Sequence, residues 1–122
     1  VTAAPDEWAR CKGWIEAALK YADGAYQIED IEAAIAAGEM AFLPGPDAAI
    51  VLEICAFPRL RALNVLFAGG NLDGVKRMDP LLVDIAKAHG CSLIYLTGRL
   101  GWLRTLAPLG YGEIAGMASK EL

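Results

Sequence analysis

Two stretches of this 122-residue chain have the residue types and spacing for chemistry. In the first, the apolar run Ala62-Leu-Asn-Val-Leu-Phe-Ala68 passes through Gly69, Gly70 and Asn71 directly into a helical pattern. A strand-to-helix turn of this kind presents backbone N–H groups at the positive end of a helix dipole, where phosphate is favoured. Against that, Asp73 puts a carboxylate where the anion would sit, and the turn itself contains no lysine or arginine. The same residues also read as a tight turn in which Asp73 or Asn71 caps the helix. In the second stretch, Ile50-Val-Leu-Glu-Ile-Cys-Ala-Phe57, Glu53 is a carboxylate embedded in an apolar strand. Facing a pocket, it is a candidate proton acceptor; strict alternation would instead turn it to solvent.

Other reactive residues have plainer readings. His89, the one histidine, falls at the end of a helical pattern beside Gly90 and is expected to cap it. Arg99 and Arg104 flank Trp102, an arrangement that suits either an anionic ligand or arginine stacked on the indole. Cys11, Cys55 and Cys91 fall singly in apolar segments, without metal-ligand spacing, and read as three buried thiols in a reducing compartment.

These residues are positioned by a clear order of elements. Pro5-Asp6-Glu7 starts a helix, and Trp8, Cys11, Ile15, Leu19 and Ala22 keep its apolar stripe to about Ala22. A second helix runs from Ile28 to Ala37. Met40–Leu43, Ala49–Phe57 and Ala62–Ala68 then form an antiparallel meander across two turns rich in proline. The spacing of Val75, Met78, Leu82, Ile85 and His89 predicts a helix over Asp73–His89, in which Pro80 implies a start near Asp79 or a kink. Ser92–Thr97 follows as a strand parallel to the third, then a helix over Leu100–Leu106 and a final strand over Glu113–Ser119. The predicted fold class is α/β (α+β): one domain over 1–122, a three-layer mixed sheet in which an antiparallel meander precedes a βαβ crossover, with helices on both faces.

Composition narrows the function classes. The net charge of −4 and the scattered lysines and arginines argue against nucleic acid as a partner. The chain contains no apolar run long enough to span a bilayer and no basic region leading an apolar core, so no membrane association and an intracellular, soluble protein are expected.

The element order resembles the GNAT fold of the Gcn5-related N-acetyltransferases, over most of the chain. Leu106-Ala-Pro-Leu-Gly-Tyr111 is similar, with a shift, to the family's ending of the last helix, and Leu93–Thr97 sits where the family has its fifth strand. Gly98-Arg-Leu-Gly-Trp102 resembles small GNAT-like proteins of tailed bacteriophages. The resemblance implies acetyl-CoA as cofactor, held by Phe67, Ala68, Gly69, Gly70, Asn71 and Gly74 with Lys76 and Arg77. It implies Glu53 as base and Tyr111 or Tyr95 as acid, because Leu106 stands near the family's tyrosine. Of the family loop Arg/Gln-x-x-Gly-x-Gly/Ala only Gly74 is matched. Two functions follow: a phage-type protein acting by contacts with a phage or host protein or a second copy, in the host cytoplasm or virion, without efficient acetyl transfer; or a CoA-dependent N-acyltransferase with an amine acceptor. No metal site is expected.

Overall fold

The computed structural model describes residues 5–22, 24–96, 104–114 and 118–122. Two helices come first, α1 (Pro5–Leu19) and α2 (Ile28–Ala36). Asp6 and Glu7 lie in the first turn of α1, where carboxylates complement the dipole. The helix stops at Leu19, short of the expected Ala22, and Tyr21 and Ala22 instead donate to the carbonyls of Ala18 and Leu19 in a turn. At the start of α2 the Gln27 N–H donates to Asp30 Oδ2 at 2.8 Å, a side chain reaching back to satisfy the helix entry.

Four strands make one sheet in the order β1 (Ala41–Pro44), β2 (Ala48–Ala56), β3 (Arg61–Gly70), β4 (Leu93–Leu96). The first two pairings are antiparallel and the third, across the helical crossover, is parallel. The fold class is therefore the mixed sheet with helices that the sequence predicts. The register between β2 and β3 slips once, Val51 facing Phe67 and Leu52 facing Val65, which leaves Leu66 as an extra residue in a β-bulge. The bulge changes which face the strand's alternate residues reach. Leu63 and Val65 pack into the core shared with Val75, Met78 and Leu82, whereas Phe67 packs into the other core, with Cys11, Ile15 and Ile31. One apolar layer thus lies under α1 and α2, and the other under the helices that follow β3.

Those helices correct the single helix expected over Asp73–His89. There are two, α3 (Leu72–Arg77) and α4 (Asp79–Ala88), separated at Met78. Pro80 sits in the first turn of α4, where its missing N–H costs no hydrogen bond, so the proline starts a helix here rather than bending one. His89 follows α4 and its Nδ1 lies 2.9 Å from the Ile85 carbonyl oxygen, a C-terminal cap.

The C-terminal expectations fare differently. Residues 104–106 are helical and lead into a short 3₁₀ turn, Ala107–Leu109; the rest of the expected helix, and with it Arg99 and Trp102 of the Gly98–Trp102 motif, lies outside the described residues. The final strand over Glu113–Ser119 is not found in residues 113–114 and 118–119, and 115–117 lie outside the described residues. Ile114 is 79% exposed, so the burial that holds a strand is missing there. No helix of the described residues is long and apolar enough to cross a membrane.

Candidate functional site

The candidate site lies along the part of β3 that extends beyond its described pairing with β4. Pairing with β4 covers Ala62–Val65 against Leu93–Leu96, yet β3 continues to Gly70. Past the Leu66 bulge, every second residue of β3 directs its backbone N–H and C=O away from β2, into a gap without a strand partner among the described residues. The gap ends at the glycine turn. Gly70 has φ 99°, a left-handed conformation that costs a residue with a Cβ, and Asn71 then caps α3 by accepting a bond from the Asp73 N–H at 2.8 Å.

The turn is held in place by Asp47, in the hairpin between β1 and β2. The Asn71 N–H donates to the Asp47 carbonyl at 2.9 Å, and the Asp47 carboxylate forms an ion pair with Arg77. A Cβ on Gly74 would stand 2.4 Å from Asp47 Oδ1, and one on Gly69 would stand 2.2 Å from the Trp14 carbonyl oxygen of α1. Glycine at both positions makes room for the protein's own chain. Alongside, a cleft of about 400 Å³ opens between Ala68–Gly70 and the C-terminal end of α1 with the turn after it, where Trp14 of the helix and Lys20 and Tyr21 of the turn form its wall.

The eight residues expected to hold a cofactor are thus divided. Ala68, Gly69 and Gly70 line the cleft. Asn71 is the helix cap and Gly74 is buried against Asp47. The Phe67 ring points into the α1–α2 layer and meets Tyr26 edge-on, centroids 5.6 Å apart. Arg77 is engaged by Asp47, whereas Lys76 is half-buried and forms no ion pair among the described residues. Sequence reasoning missed Asp47, Lys20 and Tyr21. Trp14, Ala17, Ala18 and Tyr21 recur at spacings of three, one and three, a second helical stripe in the sequence that runs on from α1 into the turn after it.

Glu53 occupies a different cavity, of about 410 Å³, on the other flank of α1 at the β1 edge. Its Oε1 accepts from Asn64 Nδ2 at 3.1 Å and from the Cys55 thiol at 3.5 Å. Burial, followed by the Glu53 charge, pushes the Cys55 thiol up from its ordinary pKa. Glu39 and His89 line the same cavity, with Trp8 and Phe42 as its aromatic wall, their rings edge to face at 4.9 Å. Trp8 is fixed by donating from Nε1 to Glu32 at 2.7 Å.

Tyr111 lies elsewhere. Its hydroxyl donates to Asp79 Oδ1 at 2.7 Å, and burial, that hydrogen bond and the Asp79 charge push the phenol well above its usual range. Asp79 and His89 stand at opposite ends of α4, about 15 Å apart for its ten residues. Glu53 and Tyr111 are therefore found near opposite ends of that helix rather than together. The Tyr95 ring instead meets Phe57 edge-on at 6.2 Å. Among the described residues no three His, Cys, Asp or Glu side chains converge as metal ligands.

A three-layer α+β fold with an antiparallel meander, a bulged strand and a parallel neighbour reached by a helical crossover is the GNAT fold, and the solved structures bear this out. A protein described as a probable acetyltransferase superimposes with a TM-score of 0.71 at 8% identity, over 100% of this chain and 95% of its own. TTHA1254 from Thermus thermophilus matches with a TM-score of 0.66 at 10% identity, over 98% of this chain and 93% of that one. An acetyltransferase of Trypanosoma brucei gives 0.60 at 14% identity, over 79% and 78%. No family model matches the sequence, and no curated protein matches it. At these identities the likeness is one of fold.

Proposed function

We propose that this protein binds an acyl-CoA in the gap between β3 and β4 and passes the acyl group to an amine. The observation that carries the reading is the edge of β3 from the Leu66 bulge to Gly70, which has no strand partner opposite β2 among the described residues and runs into the turn before α3. Backbone donors and acceptors on such an edge suit the amides of a pantetheine arm, which pair like an added strand. A bound acyl-CoA supplies an activated thioester. This chain's own residues supply the rest: the β3 edge orients the arm, and Glu53, tied to β3 by the hydrogen bond it accepts from Asn64, takes the proton that an attacking amine must lose. The structural neighbours described as acetyltransferases support the same reading. Calorimetric titration with acetyl-CoA tests it, together with an assay of thiol release in the presence of amines. Absence of binding at millimolar cofactor overturns it.

A second reading is favoured by one observation, the separation of Glu53 from Tyr111, whose proton is held by Asp79. In it the protein is a GNAT-like scaffold of the phage type, working by contacts with a phage or host protein and without efficient acetyl transfer. Binding of acetyl-CoA with no turnover on any amine selects this reading over the first.

A further inference from the structure

We infer that the cavity at the β1 edge, where β1 and β2 part, binds a primary amine with an apolar body, held as its ammonium cation; that this amine is the acyl acceptor rests on the acyl-transfer reading. The parting of the strands has a visible cause. Their pairing begins at Ala41 and Leu52, and the residues leading into β1 are drawn off to α2: the Glu39 and Met40 N–H groups both donate to the Ala34 carbonyl, at 2.9 and 3.2 Å. Gly38, with φ 77°, makes that turn. β2 meanwhile continues through Glu53 and Ile54 to Ala56. Donors committed to α2 do not bridge to β2, so the space between the two segments stays open. Trp8 of α1, Ile35 of α2 and Ile85 of α4 close its sides.

The lining sets the class of ligand. At about 410 Å³ the cavity falls within the size range of small-molecule sites. Trp8 and Phe42 pack edge to face and Trp8 is anchored to Glu32, so the aromatic wall is formed before a ligand arrives. Such a wall takes an apolar body, and ring faces attract a cation. Glu39 and Glu53 supply two carboxylates. His89 supplies a third acceptor: the Ile85 carbonyl can only accept, so Nδ1 donates to it, and the other ring nitrogen of a neutral imidazole is left with its lone pair. Three acceptors match the three N–H donors of a primary ammonium. Glu53 is also oriented, because Asn64 and Cys55 both donate to its Oε1. Asn64 stands on β3 two residues, about 7 Å, before the Leu66 bulge, so this carboxylate joins the cavity to the strand that orients the acyl-CoA arm. There Glu53 takes the ammonium proton, and the freed nitrogen pair forms the amide bond as the thioester C–S bond breaks. The nitrogen's second proton leaves with the thiolate, and the first returns from Glu53 to water.

The test titrates the whole chain, by calorimetry and without cofactor, with phenethylamine, its neutral analogue phenethyl alcohol and the short ethylamine. Phenethylamine is expected to bind at least about tenfold more tightly than either. Glu39→Gln, at an exposed position, is expected to weaken phenethylamine about fivefold and to leave phenethyl alcohol and acetyl-CoA unchanged. Trp8→Leu is expected to narrow the preference for phenethylamine over ethylamine. Equal binding of amine and alcohol, equal binding of the two amines, or no response to Glu39→Gln overturns the amine site and leaves acetyl-CoA binding untouched. Phenethylamine that binds as expected, to a chain that also binds acetyl-CoA, but is not acetylated keeps the amine site and overturns the acyl-transfer reading.

Discussion

The two cavities on the flanks of α1 are nearly equal in size, about 400 and 410 Å³, and opposite in chemistry. On the gap side the floor is alanine and glycine backbone with one lysine above it. On the β1 side Glu39, Glu53 and His89 are set among Trp8, Phe42 and Met40. The first is thus lined by a single cation, the second by two carboxylates and a histidine among aromatic and apolar side chains. The glycine run, which draws attention in the sequence, mostly accommodates the protein's own backbone. What distinguishes the two sides is the charge on side chains brought from α1, the helix ends and β2.

Substitutions that separate the two flanks test this comparison, and the largest effect is expected on stability. Gly69→Ala puts a Cβ against the backbone of α1 and is expected to cost about 3 kcal/mol in urea unfolding. On the acidic side Gly38→Ala, where φ is 77° and nothing lies within 4 Å, is expected to cost about 1 kcal/mol, from backbone conformation alone. Equal costs would remove the distinction between a glycine that makes room and one that only bends.

Catalysis sharpens it from the other flank. Glu53→Gln is expected to lower the rate of amine acetylation about a hundredfold while leaving the calorimetric affinity for acetyl-CoA in place. A loss of affinity without a loss of rate would mean that the two cavities do not divide the work as described.

A smaller effect belongs to Tyr111, remote from both. Its phenol holds its proton more tightly in the folded than in the unfolded state, because of burial and then Asp79. Its contribution is thus fully present below the ordinary phenol pKa of about 10 and is lost as pH rises beyond it. Wild type is expected to lose stability above that pH more steeply than Tyr111→Phe, followed by thermal melting across the alkaline range. Smallest of all, Asp47→Asn is expected to cost less than about 1 kcal/mol, shrinking with added salt, because the pair with Arg77 is largely exposed. A salt-independent loss would show that the Asp47 backbone contacts, rather than its charge, hold the turn.

Much of the fold was legible because it rests on local pattern. Ile31 and Ile35 mark the buried side of α2, and the prolines and glycines around Gly45 mark the first hairpin. What escaped depends on contacts distant in sequence or on a single shifted residue. A period of two cannot reveal that Leu66 is an extra residue, and so places Val65 and Phe67 on one face when they lie on two. Helical spacing runs unbroken through Met78 although the backbone restarts at Asp79. For the site, a glycine that admits a phosphate looks the same in sequence as one that admits Trp14 or Asp47. Glu53 was picked out by its apolar surroundings, but its neighbours Glu39 and His89 come from other elements, and no local pattern joins them.

The hairpin turn at Gly45–Asp47 has a mechanical consequence. Arg10 of α1 donates to the Gly45 and Pro46 carbonyls at 2.8 and 3.2 Å, while Asp47 binds Arg77 and the Asn71 N–H on the opposite side of the sheet. Three consecutive residues thereby strap the two helical layers together around the end of the sheet. A load placed on α1 is transmitted to α3 without passing through either apolar core, so amide exchange at the start of α3 should slow when a ligand steadies α1.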